Sequence, residues 1–204
     1  LTKVLANGNV APPPKNSYVT DKVISISLTP SIETGNTFSV RSGCGCSVAR
    51  FKANDTFNWF EFNLVTAALE PELEAFLLGA NTITDGPDVV GLAFPGALDC
   101  GADEPTVALE FWTQHVVGSG QDGQFPWVHW VFPKTIWQRA DNTFEEDAAR
   151  PSYTGFSRTN SLWGAGPYGD GPPDGEPIRE GGWWKTDVAP PTAVCAAVDV
   201  TPGS

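Results

Sequence analysis

The sequence predicts a mainly β protein with one short helix and extended ends. Three observations carry this. Several stretches repeat with a period of two, the period of a strand. A single stretch, Leu69 to Ala80, repeats with helical spacing. The 21 glycines and 18 prolines in 204 residues break the chain into short elements. A chain of this length suits one domain and can bury a sizeable core.

Leu1 to Tyr18 contains "APPPKNSY", and its proline run favours an extended arm over a helix. Lys22 to Thr29 alternates as a strand, and Asn36 to Phe51 reads as two short strands around the Gly-rich "SGCGC". Thr56 to Thr66 is a strong strand. One face holds Asn58, Phe60, Phe62 and Leu64, and the other holds Phe57, Trp59, Glu61, Asn63 and Val65. In "LEPELEAFLLGA", Pro71 suits the first helical position, with Glu72 and Glu74 in the first turn where the helix dipole favours acids. Leu73, Phe76 and Leu77 then share a face and Gly79 is a natural stop, so the helix is expected over Pro71 to Leu78.

Val89 to Phe94 reads as a short strand, and Val107 to Val117 and Phe125 to Gln138 as a hairpin joined by "GSGQDGQ". In the first arm Val107, Leu109 and Phe111 form a core face, while the opposite face carries Glu110 and Trp112. The second arm is apolar on both faces, with Trp127, His129 and Val131 opposed to Val128, Trp130 and Phe132. Such a strand is buried on both sides, and another chain could supply the outer cover. Pro126 and Pro133 lack an N–H and suggest strand ends or an edge. Asp141 to Arg150 is a charged turn region, and Ser152 to Ser157 another strand. From Asn160 the chain is rich in Gly and Pro, as in a long excursion or arm, and Trp183 and Trp184 lie in loop-like context.

The formal net charge is −12 and unevenly spread. Ala53 to Pro133 contains twelve acids and no Lys or Arg, while the rest balances at twelve acids and twelve bases. Such a segment repels phosphate, which argues against nucleic-acid binding through counterion release. No run of 18 apolar residues predicts a transmembrane helix, and no signal peptide is visible.

Glu61 and Glu110, near Trp59 and Trp112, form the best candidate for paired-carboxylate chemistry, as in a jelly-roll glycosidase. The bland reading is two ordinary solvated or interfacial acids. His115 and His129 are the only histidines, on opposite arms of the hairpin. A zinc site needs three or four ligands, and Glu110 lies on the other face from His115, so no metal is expected. No G-x-S-x-G elbow or phosphate loop is present. Of the four cysteines, Cys44 and Cys46 lie too close in a strand to bridge comfortably. Reduced structural thiols are favoured, with a bridge to Cys100 or Cys195 as the alternative.

In order, "VTDKVISISLTPSIETGNTFSV" (Val19 to Val40), "SGCGCSV", the strand led by Asp55 and Trp59, "LEPELEAFLLGA", "ALEFWTQHV", "WVFPKTIWQ", "TFEEDA", "TGFSRTN" and "WGAGPYGDGP" resemble the major tail protein of long-tailed bacteriophages, particularly those of actinobacteria. The resemblance spans about Val19 to Pro172 and rests on the ordered series. It implies a β-sandwich or barrel-like tail tube fold with a flanking helix. The division would be an arm at 1–18, a tube domain at 19–163 and a Gly/Pro-rich region or arm at 164–204.

The resemblance further implies hexameric rings that stack into a hollow tube in the virion, assembled in the host cytoplasm with other tail proteins. DNA passes through without specific binding. No enzyme activity, cofactor or membrane binding belongs to this role. On this reading Glu61 and Glu110 line the bore or an interface, and Trp59, Trp112, Trp127, Trp130, Trp183 and Trp184 pack between subunits. The alternative is a Trp-rich carbohydrate-binding sandwich, with a two-carboxylate glycosidase behind it.

Overall fold

The computed structural model describes residues 1–94, 104–140, 143–144, 149–164, 166–168, 171–172 and 175–200. Among these the chain runs β1 (Thr2–Val4), β2 (Ser17–Val19), β3 (Val23–Glu33), β4 (Thr37–Arg41), β5 (Ser47–Lys52), β6 (Thr56–Thr66), α1 (Pro71–Leu78), β7 (Asn81–Asp85) and β8 (Asp88–Ala93). It continues through β9 (Thr106–Gln114), β10 (Val116–Val117), β11 (Gly120–Gln121), β12 (Trp127–Arg139), β13 (Thr143–Phe144), β14 (Ala149–Arg150), β15 (Ser152–Ser157), β16 (Gly182–Thr186) and β17 (Ala196–Val198). The fold is mainly β with one short helix, as the alternation predicts. Asp99, Cys100, Asp103 and most of the turn from Asp141 lie outside the described residues.

One antiparallel sheet dominates, in the order β17-β2-β1-β9-β12-β15-β6-β3, with β16 also on β12. Its centre is β12. Along Trp127 to Val131 this strand lies between β9 and β16, and along Thr135 to Arg139 it pairs with β15. The register slips between Phe132 and Thr135, at Pro133. A residue without an N–H is tolerated at such a bulge, so Pro133 interrupts the strand without ending it.

The two expected arms are correspondingly part of this sheet. In residues 1–18, β1 pairs with β9 and β2 with β1. In residues 164–204, β16 pairs with β12 and β17 with β2. Asn16 ties the ends together, its amide donating to the Ala11 and Val200 carbonyls at 2.7 and 2.8 Å. Strands of three residues are too short to show alternation, and the proline run at Pro12–Pro14 lies between β1 and β2.

The first face of the sheet packs Phe62, Leu64, Val107, Leu109, Phe132, Trp137 and Tyr153 against Leu73, Phe76 and Leu77 of α1. Gly79 caps the helix in the left-handed conformation, φ 64°. Acids near the helix start tie it down as well as complementing its dipole. Glu74 is buried, accepts a 2.9 Å hydrogen bond from Tyr153 and lies 3.4 Å from Arg139. Glu70 accepts one from Tyr18 at 3.0 Å and pairs with Lys22 at 3.0 Å. Glu72 accepts the Ala197 N–H at 3.1 Å, which docks β17 onto the helix.

The second face is closed over β9 and β12 by the chain itself. Ala108 and Val131 pack there with Trp163, Trp184 and Ile178. The outer cover expected from another chain is thus supplied, over these strands, by the Gly/Pro-rich segment. Among the described residues, four short antiparallel ribbons stand apart from the sheet: β4–β5, β7–β8, β10–β11 and β13–β14.

Candidate functional site

Two places hold most of the residues singled out from the sequence, and the structure adds a third. The first is the buried face of β9 and β12. Register sets Trp112 opposite His129 and Glu110 opposite Val131, so Glu110 and His129 are diagonal neighbours on one face. Glu110 Oε2 lies 3.3 Å from His129 Nε2, with the two side chains 3% and 1% exposed. Trp112 stacks on the His129 ring at 4.0 Å, and Trp184 meets its edge at 4.7 Å. Tyr168 closes against Trp112 at 5.7 Å and reaches the Ser17 hydroxyl at 3.1 Å.

Here Glu110 departs from expectation. Its carboxylate is enclosed by its own chain, so it lines no bore and meets no solvent. Trp112 and Trp184 are likewise used within the chain, and Trp130 stacks on Phe111 at 5.7 Å. Trp127 is half-buried opposite Thr186 of β16. The signal was available in the second arm, whose His129 and Val131 face demanded a cover.

The second place is the open part of that same face, beyond the cover, over β3, β6 and β15. A groove of about 690 Å³ runs there, lined by Ser27, Thr29, Trp59, Glu61, Asn63, Gln138, Thr154, Phe156 and Arg158 among others. Trp59 donates its indole N–H to Glu61 at 3.3 Å and lies 6.4 Å from the Phe156 ring, and Arg158 sits over Phe156. Trp59 keeps 39% of its surface exposed.

Glu61 and Glu110 share a face but not a site. β15 and β12 stand between β6 and β9, and three steps of about 4.8 Å put the carboxylates' strands roughly 14 Å apart. Glycosidase pairs work at about 5–9.5 Å, so the two acids cannot serve one glycosidic bond. The histidines also part company. His115 lies on the opposite face from His129, with Nδ1 3.1 Å from the Phe125 carbonyl and 3.2 Å from Asp122. Among the described residues no three His, Cys, Asp or Glu gather as a metal site.

The third place is the set of ribbons, which sequence reading did not single out as sites. On β4–β5, Phe38 faces Phe51 across the strands, and both are about two-thirds exposed (66% and 67%). Val40 and Val48 are exposed beside them. Ile83, Val90 and Phe94 are exposed on or next to β7–β8, and Val116 and Val117 on β10. On the outer edge of β3, which pairs with no described strand, Val23, Ile24 and Ile32 are exposed. Trp183 is 57% exposed, next to Trp184, which latches β16 against His129 and Val131.

No helix of the described residues is long and apolar enough to cross a membrane. Compared with known proteins, the chain matches no family model, no curated protein and no solved structure.

Proposed function

We propose that this chain is a structural subunit that self-assembles edge to edge into rings, and that the rings stack into a hollow virion tube, as in the tails of long-tailed bacteriophages. The observation that carries this reading is the β4–β5 ribbon, which holds Phe38 and Phe51 two-thirds exposed away from the core. An exposed cross-strand aromatic pair beside Val40 and Val48 is the kind of surface that marks a protein–protein contact. The free outer edge of β3 supports the same reading. A long edge strand with exposed Ile24 and Ile32 is a template for pairing unless another copy covers it.

In this reading the open face of β3, β6 and β15 turns towards the bore. Its Ser27, Thr29, Asn63, Gln138 and Thr154 are neutral, Glu61 is acidic, and Arg158 is laid over Phe156. Such a wall offers a phosphate backbone little to hold. The sheet-and-helix core and the C-terminal cover supply a rigid wall, with no catalytic step required.

The test compares the wild-type chain with a Phe38→Asp/Phe51→Asp variant, by light-scattering mass over a concentration series. The expected result is association of the wild type and loss of it in the variant. The facing aspartates repel across the ribbon, but the ribbon stands apart from the main sheet, and surface changes away from the core usually alter stability by about 0.5 kcal/mol or less, so the unfolding midpoint of the core should stay in place. A second reading, carbohydrate binding, draws on the groove at Trp59 and Phe156. A chain that stays monomeric and is retained on polysaccharide would favour it.

A further inference from the structure

The β4–β5 ribbon ends in Ser42-Gly43-Cys44-Gly45-Cys46, and neither thiol is bonded to another cysteine. The sequence suggests that Cys44 and Cys46 share a strand, but the structure puts Cys44 on a turn. The Gly45 N–H donates to the Ser42 carbonyl at 2.8 Å, and the Ser42 N–H to the Cys46 carbonyl at 2.8 Å. Gly45 takes φ 84°, a conformation that residues with a side chain rarely adopt. The chain therefore folds back between the two cysteines. In an extended strand their Cα atoms would stand about 6.6 Å apart. The turn brings them closer than that extended separation, and Cys46 hydrogen-bonds the Cys44 thiol; a disulfide spans Cα separations of roughly 4.4–6.8 Å.

Both thiols are exposed at the tip. The Ser42 hydroxyl lies 2.9 Å from Cys44 Sγ. We propose that Cys44 and Cys46 form a reactive dithiol that exchanges with small disulfides of the glutathione class and closes to an intrachain Cys44–Cys46 disulfide. Cys44 is the attacking sulfur, and Cys46 the resolving one.

The steps balance. Cys44 thiolate attacks one sulfur of the small disulfide, whose S–S bond breaks and releases one thiolate, which takes up a proton. Cys46 then attacks Cys44 Sγ in the mixed disulfide. The Cys44–Cys46 bond forms and a second small thiol leaves. Two protein thiols are oxidised and one small disulfide is reduced to two thiols. The choice of Cys44 as attacker follows from its surroundings. The Ser42 hydroxyl, and after it hydrogen bonds from Cys46, hold its thiol below the ordinary cysteine range. A larger thiolate fraction near neutral pH speeds attack.

This inference stands apart from the assembly reading, since it needs only the ribbon tip. Cleavage after Arg41 and Arg50 releases SGCGCSVAR, residues 42–50, which contains no other cysteine. The reduced, folded chain is incubated with glutathione disulfide, quenched with acid, alkylated, cleaved and weighed by mass spectrometry. The expected peptide carries no alkyl group and is two hydrogens lighter. Cys46→Ser should stop at a glutathione adduct on Cys44, and Cys44→Ser should form its adduct measurably more slowly at neutral pH. Alkylation of both thiols under exchange would overturn the proposal. So would a link from this peptide to one holding Cys100 or Cys195, or equal rates for the two single variants.

Discussion

At the residue scale, the buried phenols of this core are held by specific partners: Tyr18 by Glu70, Tyr153 by Glu74 and Tyr168 by Ser17. All three are shifted upward from the ordinary phenol value of 10.0: Tyr18 and Tyr153 first by burial and then by the adjacent Glu70 and Glu74, and Tyr168 by burial. A phenol that holds its proton more tightly when folded stabilises the fold below its unfolded value. That contribution is lost as pH rises past 10, because the unfolded chain then releases protons that the folded chain keeps. The expected outcome is a folded protein whose tyrosinate absorbance stays absent near pH 10 and arises together with the loss of tryptophan-sensitive circular dichroism. Smooth tyrosine ionisation at the ordinary value, with the fold intact, would contradict the burial of these rings.

Residue identity also shows where sequence reading stops. That Glu110 and Trp112 share a strand face follows from period two. That His129 joins them depends on the register between β9 and β12, which the loop between the two strands sets. Alternation cannot fix a register, so the sequence reads Glu110 as a solvated, bore-lining or interfacial acid, whereas the register buries it. The same parity did place Trp59 and Glu61 together, and they meet at 3.3 Å.

At the element scale, legibility follows length and local chemistry. β6, β15 and α1 occupy the residues expected, because eleven alternating residues, a clear alternating run and a Pro-to-Gly frame are local signals. β1, β2, β16 and β17 were not legible. Each is three to five residues long, and each owes its extended form to a partner far away in sequence. The C-terminal cover is the clearest case. Trp184 is 8% exposed against His129 and Val131, while its neighbour Trp183 is 57% exposed. Trp184→Ala should cost about 3–5 kcal/mol, as large core truncations do, and Trp183→Ala about 1 kcal/mol or less. Urea unfolding midpoints measure the difference, and hydrogen exchange in Trp184→Ala should quicken first in residues 175–188. Equal effects from the two substitutions would contradict the latch.

At the scale of the whole molecule, the chain sorts its hydrophobic surface into two kinds. The β9–β12 face is sealed internally by the chain's own end. The ribbons and the β3 edge are left bare, with Phe38, Phe51, Ile24 and Ile32 facing solvent. A net charge of −12 makes copies of the chain repel one another. The proposed association therefore depends on salt, because screening weakens that repulsion. The class of fold was legible from alternation and composition. The division between sealed and bare surface was not, because it depends on where the last forty residues return.

Electron microscopy of the purified chain puts the proposed self-assembly through these bare surfaces to the test. Negatively stained fields over a series of protein and salt concentrations should contain rings with a central hole, or hollow tubes, increasing with both. Particles that remain single and compact throughout the series, with no ring or tube at any concentration, would contradict the account.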